Sequence, residues 1–334
     1  MLSFDVLRGI AALAVMATHL AISTHVTTGR LAPVPYGYLA VDLFFMMSGF
    51  VIGKVYEDKL LKGMSFRRFM LIRIARLYPC LALGCMIGLV AMPVYTKWEA
   101  AAQFLLIPSL ASTALFPLNP VLWSLFYEIA INAGHAVAAR HITLRRLIVF
   151  VVFSGAAFLL SAWIYGGPGI GWNGQSFLPG FARVGWGYGV GLLWFRVTRV
   201  RPELLRTVPF AVAPGLAAAF LFSPNLGVSW IQVPFTLFVG LPLITISAIC
   251  SVCPRRGASV AAWLGLISYP LYTIHLPLLR LAQLQVPAFS FLWLGVTVAM
   301  LAIATAVEYL YDAPLRGLLK RLISRLPRLH GTQT

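Results

Sequence analysis

Charge is scarce in this chain. Only 10% of its 334 residues are Asp, Glu, Lys or Arg, and just nine are acidic. A soluble domain carries about 25% charged residues, so the composition excludes a cytosolic globule. No stretch is long and polar enough to form a separate soluble domain, and neither internal repeats nor low-complexity linkers occur. Cysteine is also sparse, at four residues. Cys80 and Cys85 fall in an apolar run, and Cys250 and Cys253 form one CxxC without partners, so reduced bystander thiols are expected and no metal site. What is abundant is apolar: 60% of the chain is hydrophobic and the mean hydropathy is +0.86. A helix crossing a bilayer takes about 20 apolar residues, so ten helices would use roughly 200 positions. The composition therefore predicts an all-α, polytopic membrane bundle of about ten transmembrane helices over residues 1–315. A basic cytoplasmic tail, 316–334, follows.

The charge that is present is mostly positive, with a net +17. Its placement argues against nucleic acid and for topology. Lys54, Lys59, Lys62, Arg67, Arg68, Arg73 and Arg76 form one cluster, and Arg140, Arg145 and Arg146 another. Arg196, Arg199, Arg201 and Arg206 follow, then Arg255 and Arg256, and finally Arg316, Lys320, Arg321, Arg325 and Arg328. Between them lie connections with one basic residue (Arg30 in 23–37, Lys97 in 94–120) or none (224–229 and 284–288). That alternation is the positive-inside pattern. Apolar segments near 4–23, 38–56, 74–94, 120–138, 147–166, 180–197, 208–223, 229–250, 260–283 and 289–312 then place every cluster, and both termini, on the cytoplasmic side. The first segment reads as an uncleaved helix rather than a signal peptide, because Asp5, Arg8 and His19 interrupt it. Residues 58–68 and 96–115 read as short interfacial helices or loops, and the glycine-rich 166–180 as an external loop.

Ionisable residues inside such segments are costly unless paired or facing a wet cavity, so each is a functional candidate. Arg8 and His19, eleven residues apart, share a helical face about 16 Å apart along the axis. Two readings stand: an anion-binding Arg at the mouth of a channel leading to an acid/base His, or an Arg snorkelling beside Asp5 with His19 in the outer interface. Asp42 is suited to holding an imidazole or an Arg, while Ser48-Gly49 permits close helix approach. Arg73 and Arg76, at i and i+3, present two guanidiniums suited to phosphates. Glu128, alone in its segment, needs a partner, with His19 and Arg8 foremost. His275, between two prolines, is either functional or a hydrogen-bonded structural residue. Glu308 and Asp312 are expected to pair with a nearby Arg, and His25, His135, His141 and His330 to lie at interfaces or in loops.

Together these segments resemble the acyltransferase 3 family of integral membrane acyltransferases, which includes enzymes that O-acetylate bacterial surface and secreted glycans. The resemblance rests on five motifs in order: Asp5-Val-Leu-Arg8-Gly-Ile-Ala-Ala-Leu, with His19 completing R-x10-H; Val41-Asp-Leu-Phe-Phe-Met-Met-Ser-Gly-Phe50; Phe69 through Arg73-x-x-Arg76-Leu-Tyr-Pro79; Ser124-Leu-Phe-Tyr-Glu128; and Ile267-Ser-Tyr-Pro-Leu-Tyr-Thr-Ile-His275. It implies ten membrane helices, a multi-pass protein of the bacterial inner membrane, an acyl-CoA donor (acetyl-CoA being commonest) and a carbohydrate or glycolipid acceptor. His19 would be the catalytic histidine, with Arg8, Arg73, Arg76 and Glu128 as essential companions. The family's Glu-x-Pro appears here as Asp312-Ala-Pro314. No SGNH-type esterase domain follows in this sequence, so transfer without a fused second enzyme is expected. No HxxxD motif of soluble acyltransferases occurs.

The resulting expectation is a donor whose phosphates are held by Arg73, Arg76 and Arg8 along a channel between the first four spans. His19 acts as base on a sugar hydroxyl or carries the acyl group, and Glu128 or Asp42 orients its ring. Ser48 and His275 are further candidates for contacting substrate or supporting the site. The competing class is a transporter or flippase for a lipid-linked glycan, whose path the same residues would line.

Overall fold

The computed structural model describes residues 1–28, 34–91, 96–226, 228–285 and 293–325. Arg30, Arg328 and His330 lie outside the described residues, as does the side chain of His25. All regular structure among the described residues is helical. The helices are α1 (Leu2–Thr28), α2 (Ala40–Leu61), α3 (Phe66–Ala91), α4 (Lys97–Phe104), α5 (Leu122–Ala138), α6 (Leu144–Ile164) and α7 (Phe177–Val200). They continue with α8 (Val212–Leu221), α9 (Ser229–Phe235), α10 (Leu241–Ile249), α11 (Ala258–Gln285), α12 (Trp293–Val307) and α13 (Ala313–Arg325). A π turn joins α9 to α10 and another, Glu308–Asp312, joins α12 to α13.

Every apolar segment expected from the sequence contains a helix. Seven stretches among the described residues are long and apolar enough to cross a membrane: Leu2–Ser23, Gly37–Leu61, Phe66–Ala91, Leu144–Ile164, Ser229–Ile249, Arg255–Gln283 and Trp293–Arg325. The other three expected segments are α5, at 17 residues, α7, which carries Arg183 in its interior, and α8, at 10 residues. The expected tail boundary at residue 316 falls inside α13. Arg316 there turns back to pair with Glu308 and Asp312, the Arg partner those two acids were expected to need.

Pairwise contacts fix how the helices run. Asp5 meets Gly265 and His19 meets His275, so α1 and α11 are parallel. Asp42 meets Arg183 and Glu57 meets Arg196, so α2 and α7 are parallel too. Arg73 meets Glu128 while Gly88 lies on Leu118 ahead of α5, making α3 and α5 antiparallel. Apolar side chains drawn from α1, α2, α3, α5, α7 and α10 form the main buried core. The outward face of α6 instead leaves Phe153 and Trp163 largely exposed, as suits a surface solvated by lipid tails.

Small residues set the closest approaches. In lipid, helix association depends on van der Waals packing, which favours residues that let backbones touch. A Cβ on Gly49 would strike the Tyr188 carbonyl oxygen, and one on Gly191 the Met46 carbonyl oxygen. Ser48-Gly49 thus permits the close approach expected of it, and the partner helix is α7. Two prolines, Pro270 and Pro277, lie inside α11. Pro277 has no N–H for the Thr273 carbonyl one turn back, and Asn119 Nδ2 donates to that oxygen instead at 2.7 Å. The helix therefore continues past the proline with this carbonyl satisfied.

Gly49→Val should lower detergent-phase thermal stability by about 1–3 kcal/mol or more, the cost of overpacking. Gly134→Ala, whose Cβ meets nothing within 4 Å, should leave it unchanged or slightly raised. Fluorescence-detected size-exclusion after heating measures both.

Candidate active site

A cavity of about 330 Å³ opens among α1, α2, α3, α5 and α11. Helical spacing supplies its polar wall. Ser124 and Glu128 lie one turn apart on α5, Arg73 and Arg76 on α3, Phe44 and Ser48 on α2, and Ser268 and Tyr272 on α11. Asp5 and Arg8 come from α1. A cavity therefore lies among the first four spans, with α11 as a further wall carrying the Ser-Tyr-Pro motif to the site, but the expected channel to His19 is not seen, since His19 is not part of its lining.

The three arginines assigned together from sequence are in different electrostatic situations. Arg73 donates through Nη2 to Glu128 Oε1 at 2.7 Å, and Ser48 Oγ donates to the same oxygen at 3.0 Å. The Arg73 side chain is only 5% exposed, so this is an ion pair largely removed from water. Removing one partner of such a pair costs about 3–5 kcal/mol. Glu128 thus finds its partner in Arg73, not in His19 or Arg8 as expected. Arg8 has only a loose contact with Asp5, at 3.9 Å. Arg76 has no carboxylate within ion-pair distance among the described residues, and it lines the cavity as an exposed side chain. With Lys54 at the same mouth, positive charge exceeds negative, which favours an anion.

Asp42 is a correction in part: of the two partners open to it, an imidazole or an Arg, it holds an Arg and does not orient the His19 ring. It is fully buried, yet it serves no imidazole. Arg183 of α7 grips it with two hydrogen bonds, Nε to Oδ1 at 2.8 Å and Nη2 to Oδ2 at 2.7 Å. A third goes from Nη1 to the Ile170 carbonyl at 3.1 Å. The guanidinium lies over the rings of Trp123 and Phe158, 5.1 and 6.0 Å from their centroids. Both side chains are buried, at 2% and 0% exposure, so each requires the other. The sequence held the signal: Arg183 is a lone cation in an otherwise apolar, glycine-rich segment, and Asp42 is a lone anion in another.

His19 meets a second imidazole rather than a carboxylate. Its Nδ1 lies 3.0 Å from Nε2 of His275. His275 is completely buried, with Nδ1 3.0 Å from the Leu271 carbonyl oxygen. Neither histidine lines the cavity. Its inner end is closed by Phe44 and Tyr272, whose rings meet edge-on at 5.4 Å. Behind them the Tyr272 ring lies 6.0 Å from that of His275. Ser124 shares a 2.7 Å hydrogen bond with the Tyr272 hydroxyl and fixes it. Tyr272, with Phe44 against it, thus stands between the cavity and His275.

His135 is a second correction. It is buried, and its Nδ1 lies 2.7 Å from the Tyr188 hydroxyl, inside the bundle instead of at an interface. His141 is exposed at the turn before α6, as expected of a loop residue. Among the described residues no group of three or more His, Cys, Asp or Glu could hold a metal ion.

Comparison with known proteins adds three findings. A family model described as an acyltransferase domain matches residues 1–311. A protein of Rhizobium radiobacter named "Protein 2 in picA locus" is 31% identical over 183 residues, covering 47% of this chain and 92% of the relative. No solved structure matches.

Asp42→Asn should lower stability by about 3–5 kcal/mol by stranding the Arg183 charge. The paired change Asp42→Leu with Arg183→Met should recover most of that loss, because both charges are then gone. Thermal unfolding in detergent distinguishes the two.

Proposed function

The chain belongs to the acyltransferase 3 family, a multi-pass membrane acyltransferase, and on that premise we propose that it moves an acyl group, acetyl being the simplest, from acyl-CoA to a hydroxyl of a cell-surface or secreted carbohydrate or glycolipid. In this reading the protein lies in a bacterial inner membrane, crosses it ten times and keeps both termini in the cytoplasm. The helix directions support that path, since a ten-crossing chain makes α1 parallel to α11, α2 parallel to α7, and α3 antiparallel to α5.

The observation that carries the proposal is the guanidinium of Arg76, which has no carboxylate within ion-pair distance among the described residues, in a cavity that Arg8 and Lys54 also line. Arginine meets phosphate oxygens with paired hydrogen bonds, so Arg76 and Arg8 take the donor's phosphates. Arg73, already engaged by Glu128, holds the wall in place and stabilises the cavity. The acyl-pantetheine arm then lies along Ser48, Leu125 and Tyr269 towards Tyr272, and the thioester reaches His19 when the Phe44–Tyr272 layer parts.

His19 acts as the general base. It removes the proton of the acceptor hydroxyl as that oxygen forms its bond to the thioester carbonyl carbon. The tetrahedral intermediate collapses with cleavage of the carbon–sulfur bond, and the CoA thiolate leaves and takes up a proton. An ester and free CoA are the products. Transfer to a neutral hydroxyl needs no change in oxidation state, and general-base assistance contributes about 10²–10⁴ in rate.

Purified protein in nanodiscs should release CoA from acetyl-CoA when given an acceptor glycan. His19→Ala should reduce that rate by about 10²–10⁴-fold while the protein remains folded. Arg76→Ala should raise the donor KM by about 10–100-fold, the loss of a charged hydrogen bond, with a smaller change in kcat. Full activity in His19→Ala would remove the base assignment. Translocation of a lipid-linked glycan without CoA release would favour a flippase instead.

A further inference from the structure

We propose that His275 is a positioning residue that decides which nitrogen of His19 carries the proton, leaving Nε2 of His19 as the free base. The proposal rests on the reading of His19 as the base, and it concerns a residue that does not line the cavity.

The argument follows hydrogen-bond donors along one chain of contacts. The Leu271 carbonyl oxygen can only accept, and it lies 3.0 Å from Nδ1 of His275. That nitrogen therefore carries a hydrogen. A neutral imidazole has one N–H, so its other nitrogen presents a lone pair. Nε2 of His275 is that nitrogen, and it lies 3.0 Å from Nδ1 of His19. For this contact to be a hydrogen bond, Nδ1 of His19 must donate. Neutral His19 is then left with its lone pair on Nε2. The arrangement is directional: the Leu271 carbonyl fixes the His275 ring, and that ring acts on His19 alongside the Val15 carbonyl one turn back on α1.

The surrounding packing makes the chain of contacts rigid. His275 is completely buried, so water does not compete for its nitrogens. Gly9 lies against Leu264 and Gly265 against Asp5, seating α1 directly on α11. The two imidazoles face each other across that same seam, with ring centroids 5.1 Å apart. Asn119 satisfies the Thr273 carbonyl that Pro277 leaves without a donor, holding α11 in shape on either side of His275.

A neutral partner also suits the location. Asp and Glu orient catalytic histidines in soluble hydrolases, but a carboxylate fully buried at this depth would carry a heavy desolvation cost. An imidazole accepts the same hydrogen without bringing a charge. It accepts from His19 whether His19 is neutral or has just taken up the hydroxyl proton, so the ring keeps its orientation through the reaction.

The test uses the full chain in lipid nanodiscs, with ¹⁵N-labelled histidine and His19 assigned by the signals lost in His19→Gln. In the wild type, His19 should carry its hydrogen on Nδ1 and show an unprotonated Nε2. His275→Leu should shift His19 towards the Nε2–H form and reduce kcat by about 10²–10⁴-fold, the range seen when a catalytic His adopts the wrong tautomer, without changing the donor KM. His275→Gln places an amide oxygen near the position of Nε2 and should recover at least tenfold of the loss. The proposal is overturned by a wild-type His19 protonated on Nε2, by a folded His275→Leu with normal kcat, or by a folded His275→Gln no better than Leu. If His275→Leu does not fold, the wild-type spectrum alone decides. Loss of activity in His19→Ala with normal activity in His275→Leu sinks this proposal only, whereas normal activity in His19→Ala sinks the base assignment beneath it.

Discussion

A carboxylate inside an apolar bundle must find a cation, because neither lipid nor packed side chains replace the water it has lost. In this protein the buried acids meet that demand through arginine. Asp42 is held by Arg183, Glu128 by Arg73, Glu57 by Arg196 and Arg199, and Glu308 and Asp312 share Arg316. Most of these pairs join two helices that are distant in sequence, so charge matching also fixes which helices are neighbours. Arginine suits the task because its planar guanidinium satisfies two or three acceptors at once, as Arg183 does.

The same matching explains why the cavity is cationic. Once the acids have claimed their partners, Arg76 is left without a carboxylate among the described residues, and Arg8 is held only loosely. Their charge faces a space, not a side chain, and a cation in a partly enclosed space needs an anion or water. The site is thus the remainder of a folding requirement. In the proposed function these cations take the phosphates of the acyl donor.

Packing geometry decides the second half of the site. Glycines let α2 and α7 meet backbone to backbone, and on the seam of α1 with α11 Gly9 takes the Leu264 side chain and Gly265 that of Asp5. Across that seam the facing ring nitrogens of His19 and His275 stand 3.0 Å apart. Phe44 and Tyr272 stand between the cavity and His275.

Composition and charge order determined that the chain is a helical membrane protein, where its apolar segments lie and which polar residues are out of place in them. Those features follow from solvation, which depends on each residue's own chemistry. Helical spacing also placed Arg8 and His19 on one face of α1, and Arg73 beside Arg76 on α3. Partnership was not legible in this way. Nothing local in the sequence joins Asp42 to Arg183, Glu128 to Arg73 or His19 to His275, because these residues stand 141, 55 and 256 positions apart. Only the tertiary structure chose among them, since a buried charge or a ring nitrogen is answered by whatever group the packing of distant helices brings within about 3 Å.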